Sequence, residues 1–390
     1  MNQLLVERHG DTLELALLEE GLLTEYRLEE ASPGLQPEAV YKGRVGRVMN
    51  SLQAVFVRIT AREEGFLPFD EMRGETMPKP GDAVLVQVKK APTGGKAAYL
   101  TQDIALAGRY AVLLPMGKSH HVSARAGQST NRKRLMDLAA RVAPPQMALV
   151  LRSSSVDAPE DAVRQELAEL ARKYSEAVSV SAGTTAPALI LPALDPVSAM
   201  LRDVAVLPER ILTNDPGAVP GTDIPVETAE NPFLLYRVRD SLSKALRRRV
   251  HLRCGAELVV DPCEAMTVFD VNTAQATQDK NRARTILNAN LEAVQEVARL
   301  MRLRNIGGIV VIDLIDMDSQ SDREQVLDAL KQALLRDPVK TVVHGFTRLG
   351  LLEITRRKTS DSLRAQRLSP CPACGGSGQQ MTPTPSEESP

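Results

Sequence analysis

The chain has 390 residues, enough for roughly two or three compact units. Its net charge of −1 leaves no global basic excess, so any nucleic-acid surface must be a local patch. With no Trp and only 3% aromatic residues, a base-stacking surface would have to use very few rings.

No apolar run approaches the roughly 20 residues of a membrane span. The opening MNQLLVERHGDTLELALLEEG is charged and alternating, unlike a signal peptide. Four Cys without an export signal point to a reduced, cytoplasmic protein.

Residues 3–30 alternate apolar and polar in two runs around His9, Gly10 and Asp11, which predicts a hairpin. The breaker-rich ASPGLQPE then marks a boundary. From Val40 the pattern is five short strands with polar turns: VYKGRVGRVMN, AVFVRIT, EGFLPF, AVLVQVKKAP and AAYLTQD. That pattern predicts a small antiparallel barrel of OB type, a fold that binds single strands with a few exposed rings and a basic rim. Phe56 and Phe66 are the candidate rings, with Lys42, Arg44, Lys89, Lys90 and Lys96 for phosphates. The competing reading buries both Phe residues, since Phe56 lies between Val55 and Val57.

Residues 104–180 show no clear periodic strand set until 147–151, a buried-looking strand that ends in Arg152, Ser153, Ser154 and Ser155. An Arg followed by hydroxyls can grip a phosphate through its forked donors. Residues 155–157 could equally cap the helix that begins near Glu160. Residues 184–225 are rich in Pro and Ala, with a helix around 196–204. A helix over 231–249 ends in the basic cluster Lys244, Arg247, Arg248 and Arg249, whose ordinary reading is a solvated face.

The next stretch carries the chemistry. MTVFDVNT is a short apolar strand that reaches Asp270, and Asn272 points the same way because a strand repeats its faces every second residue. Residues 282–304 place Ile286, Leu287, Leu291, Val294, Val297, Ala298 and Met301 at helical spacing, so one stripe is buried. Gly307 and Gly308 stop that helix. The run from Ile309 to Ile312 then predicts a strand buried on both faces, breaking polarity at Asp313. Such a strand–helix–strand unit has parallel strands and collects ligands at their carboxyl ends. A lone Asp there is read as a loop cap. Two that converge, Asp270 and Asp313, with Asn272 beside the first, point to one hard cation such as Mg²⁺, which takes one or two carboxylates.

Downstream come a helix over 322–336 and strands near 340–343 and 351–354. A C-P-x-C-G turn at Cys371 and Cys374 precedes a Ser/Pro/Glu/Thr tail over 379–390 that should be disordered. The turn is a metal knuckle that supplies two of the four ligands tetrahedral Zn²⁺ needs. Cys254 and Cys263 lack knuckle spacing and are expected to be buried strand residues. The missing ligands then come from a second copy, giving a homodimer around one shared zinc. A redox C-x-x-C normally opens a helix, and this one sits in a Gly-rich tail.

Taken together, these residues resemble the ribonuclease E/ribonuclease G family of bacterial endoribonucleases. The resemblance runs from MNQLLVERHG to the knuckle. It is carried by YKGRV, SLQAVFV, GFLPF, LAGRYAVLLP, EAMTVFDVNT, LRNIGGIVVIDLIDM and LLEITRRKTSDSL. It implies an α/β chain of several subdomains: a ribonuclease-H-like piece at 1–38 and 199–248, and an OB barrel inserted at 39–103. A 5′-sensor would occupy 104–198 and a DNase-I-like catalytic piece 249–370, with the zinc link at 371–378.

The resemblance makes Asp270 and Asp313 the Mg²⁺ ligands and Asn272 their support. Phe56, Phe66 and Lys96 match RNA-contacting positions. Arg152 and Ser153 match the pair that recognises a 5′-monophosphate, with Val112 as their neighbour, and Cys371 and Cys374 match the zinc link. Ser153 stands where Thr is usual, Gln275 where some members carry a basic residue, and Ala124, next to Arg125, where an Arg is found. The chain stops shortly after the knuckle, so no scaffold tail for a multienzyme assembly is expected. The implied function is Mg²⁺-dependent cleavage of single-stranded RNA in rRNA maturation and mRNA decay, stimulated by a 5′-monophosphate. In-line attack would leave a 3′-hydroxyl and a 5′-phosphate. The alternative is a non-catalytic RNA-binding protein that works through its OB barrel.

Overall fold

Four sheets organise this computed structural model, which describes residues 1–30, 34–74, 77–92, 95–123, 126, 129–273, 282–374, 376 and 378. Ala124, Arg125, Gln275 and the tail lie outside the described residues. The fold is mixed α/β.

The N-terminal hairpin, Gln3–His9 with Thr12–Glu19, continues into a third strand, Leu22–Glu30. Its other edge pairs in parallel with Arg210–Thr213, which pairs in parallel with Val226–Thr228. Alternation predicts the hairpin, but nothing local names a partner some two hundred residues away.

Strands Val40–Met49, Ala54–Arg58, Glu64–Pro68, Ala98–Thr101 and Ala83–Lys90 close into a five-stranded, OB-like barrel. Val45, Val55, Val57, Leu67, Val86 and Leu100 fill it. Gly65 lets the walls approach, since a Cβ there would come within 2.5 Å of the Leu100 side chain. Ala188–Leu191 adds a strand outside the barrel along Val40–Met49.

Residues 105–183 form a small sheet in the order His121–Val122, Ala148–Leu151, Ala111–Leu114, Leu106–Ala107, backed by helices Ser129–Val142 and Glu160–Gly183. Three of these strands escape the periodic pattern because runs of two to four residues are too short to show alternation. Two further expectations are corrected. The helix predicted over 231–249 is two short helices, Pro232–Leu235 and Val238–Ala245, split where Arg237 takes a left-handed φ of +50°. Cys254 and Cys263 are exposed, in the turns on either side of strand Ala256–Pro262.

The fourth sheet has the order Arg249–His251, Ala256–Pro262, Met266–Thr273, Gly308–Asp313, Leu352–Arg356, Thr341–Phe346. Only its central pair, Met266–Thr273 with Gly308–Asp313, is parallel, as the crossover helix Arg282–Leu303 requires. Among the described residues, helices cover one face only. Val310 and Ile312 are fully buried, while Ile309 is 46% exposed, so the strand expected to be buried on both faces is covered on one. An apolar run of four cannot distinguish the two cases.

The crossover helix shares one core with the N-terminal sheet: Leu18, Leu23 and Tyr26 join Val294, Val297 and Met301. Its last turn buries Arg302, which donates to Glu25 at 2.7 Å and lies 2.7 Å from Glu19, both on N-terminal strands. Asn305 (φ +48°) turns the chain out of the helix before Gly307 and Gly308 are reached.

Candidate functional site

Asp270 and Asp313 are register partners on the parallel central pair. Parity sets their direction: Phe269, Val271 and Ile312 are buried under the helices, so both carboxylates project from the uncovered face. Asn272 Nδ2 donates to Asp270 Oδ2 at 2.7 Å, which fixes that carboxylate's orientation. Burial first, then repulsion from Asp270 and Asp316, pushes the Asp313 carboxyl above the ordinary range. Facing carboxylates with this mutual repulsion form an all-oxygen, hard donor set, which fits Mg²⁺ with water completing the shell. Among the described residues no three His, Cys, Asp or Glu side chains gather into a cage.

A residue not singled out in the sequence holds the segment after Asp313. Asn290 is fully buried in the crossover helix, donates to the Ile315 carbonyl at 2.8 Å and accepts from its N–H at 3.1 Å. Its signal was a polar residue inside an apolar stripe.

Arg152 follows the end of strand Ala148–Leu151. Val112 pairs with Val150, and Arg152 lies two residues on, so the two share one face of the small sheet. Arg152 donates to the Gly108 carbonyl at 2.7 Å and to Asp203 at 2.9 Å. Burial alone would raise the Asp203 carboxyl, but hydrogen bonds and charge from Arg202, then Arg152, hold it below its ordinary value. Ser153 is exposed at the start of a single turn, Ser153–Ser155. The helix beginning at Glu160 has Pro159 at its N-cap and no side-chain cap, so residues 155–157 do not cap it. Beside Arg152, the Glu166 carboxylate accepts from the N–H groups of Arg109 (2.6 Å), Tyr110 (2.8 Å) and Ala111 (3.0 Å). A mid-helix Glu reads as solvated from sequence alone.

On the barrel, Phe56 and Phe66 are opposite each other and half-buried between fully buried neighbours, their centroids 5.8 Å apart. The reading that buries them as core is set aside. Lys96 is exposed just before strand Ala98–Thr101. Lys42 donates to the Ser181 carbonyl, and the exposed Arg44 to those of Gly81 and Ala186, so each already has a partner within the protein. Arg47, missed in the sequence, lies 4.9 Å over the Phe56 ring. Cys371 is exposed, and Cys374 Sγ accepts from the Gly378 N–H at 3.3 Å.

The acidic pair, the Arg152 corner and the two rings thus sit on three different sheets. Over residues 105–359, which include the first two of these groups, the sequence matches the Ribonuclease E/G family. The chain belongs to that family. It is 34% identical to ribonuclease G of Escherichia coli K12 over 97% of its own length and 84% of that protein's. It is 33% identical to ribonuclease E of Synechocystis, covering 87% of this chain and 55% of the relative. A ribonuclease G from Haemophilus influenzae is 32% identical over 97% of the chain and 84% of its own. The Ribonuclease E/G match extends past Asp313 and ends before the knuckle.

Proposed function

We propose that this chain is a Mg²⁺-dependent endoribonuclease acting on single-stranded RNA in RNA processing and turnover. One observation carries the reading: Asp270 and Asp313 in register on an uncovered sheet face, with Asn272 bonded to the first. A bound magnesium ion would supply Lewis acidity to the scissile phosphate and a more acidic water for the attack. The two carboxylates would hold the cation, and Asn272 orients Asp270 through its hydrogen bond. Family membership supports the reaction class. The rings on the barrel suit unpaired bases, which can splay and stack where an A-form duplex cannot.

In this reading residues 1–38 with 199–248 form the ribonuclease-H-like piece, 39–103 the OB domain, 104–198 the 5′-sensor and 249–370 the DNase-I-like unit. Arg152, Ser153 and Val112 receive a 5′-monophosphate. Cys371 and Cys374 supply half of a zinc site shared by two copies, and a particle mass that chelator does not change would remove that part. The central test is labelled single-stranded RNA incubated with Mg²⁺ or EDTA. Asp270→Asn should bind RNA as the parent does and lose cleavage by on the order of 10³-fold. Cleavage at the parent rate would sink the assignment.

A further inference from the structure

A third ring stands beside the two Phe residues. Tyr99 is half-buried between buried Ala98 and Leu100, so it points out of the barrel. Strands Glu64–Pro68 and Ala98–Thr101 run parallel with Phe66 opposite Tyr99, and their centroids are 6.2 Å apart at 49°. Phe56, Phe66 and Tyr99 therefore form a row across three adjacent strands. Each end of the row carries cations: Arg47 over Phe56, and Lys90 and Lys89 at 5.5 and 5.9 Å from the Tyr99 centroid. Glu64 lies 3.5 Å from Arg47, and Glu71 pairs with Lys89. Lys90 has no ion pair among the described residues. Burial, then the charges of Glu71 and Asp70, raises the Tyr99 phenol, so it stays a neutral donor.

We propose that Tyr99 is a third base-contacting ring, so that the barrel holds three successive unpaired nucleotides and Lys90 meets the phosphate at the Tyr99 end. The inference rests on the reading of the chain as an RNA-binding nuclease and adds a residue to it. The ring-to-ring steps of 5.8 and 6.2 Å exceed the ~3.4 Å rise between stacked bases in one strand. The row therefore suits an opened strand with one base at each ring.

The test uses the full chain carrying Asp270→Asn and fluorescent oligouridines of increasing length, with affinity read by anisotropy at fixed salt. Tyr99→Leu should weaken binding by on the order of tenfold and abolish the gain from the nucleotide that reaches the third ring. Tyr99→Phe should stay near the parent, and Lys90→Gln should lower the salt slope by about 0.7. If Tyr99→Leu binds like the parent while Phe56→Leu is weakened, the third ring is refuted and the RNA reading stands. If neither substitution weakens binding, the RNA-binding role of this face fails as well. Should Tyr99→Leu melt early, 4-thiouridine crosslinking to Asp270→Asn with Tyr99 intact decides: adducts on Tyr99 support the proposal, and adducts confined to Phe56 and Phe66 overturn it.

Discussion

The acidic edge and the Arg152 corner are opposites in charge balance. At the edge, Asp270 and Asp313 face each other and the second is pushed up by burial and by its neighbours' charge. At the corner, the guanidinium already has Asp203 and the Gly108 carbonyl as partners. An unbalanced site gains most from an ion of opposite sign. A balanced one gains only the difference between its ligand and the partner already present. In the proposed reading, the edge would bind a cation outright, and the corner would discriminate among ends that arrive by other contacts.

Three experiments sharpen that contrast. Arg152→Gln removes the charge but leaves a donor, and a charge-assisted hydrogen bond contributes about 1.5–3 kcal/mol. The preference for 5′-monophosphate over 5′-hydroxyl oligonucleotides should fall by roughly ten- to a hundredfold, with the 5′-hydroxyl rate unchanged. Equal rates for the two ends in the parent would show that the corner senses nothing. Asn290→Ala takes from the half-buried N–H and carbonyl of Ile315 the side chain that meets both, at about 1 kcal/mol of stability or somewhat more. Urea unfolding should report that loss, and more Mg²⁺ should be needed for half-maximal cleavage as the segment after Asp313 loosens.

The smallest effect concerns Asp313 itself. Its folded value is raised, so the charged form opposes folding above that value, and the opposition disappears as pH falls through it. Asp313→Asn should therefore raise the melting temperature modestly in EDTA at neutral pH, with a smaller gain in acid. Mg²⁺ should reverse the ranking, because it stabilises only the protein that binds it. An Asn variant that melts below the parent in EDTA would contradict the repulsion.

What the sequence made legible follows from the range of each signal. Asp270, Asn272 and Asp313 stood out because apolar strands turned polar on either side of one amphipathic helix, a pattern contained in about fifty residues. The barrel was legible because its five strands follow one another. Tyr99 was not, because its ring gains meaning only from a parallel pairing with a strand more than thirty residues earlier. Glu166 and Asp203 were hidden for the same reason, each a surface-like acid whose partner lies in a distant segment. The uncovered sheet face was hidden because Ile309 and Val310 are chemically alike and differ only in what stands above them.

Arg302 binds together the first thirty residues and the end of the crossover helix through Glu19 and Glu25. During translation, those N-terminal strands leave the ribosome long before their partner exists. At ~5–20 residues per second the wait is on the order of 15–60 s, during which Glu19 and Glu25 lack the Arg302 guanidinium they meet in the native chain. A fragment starting after the hairpin would lack the surface on which its own central helix settles.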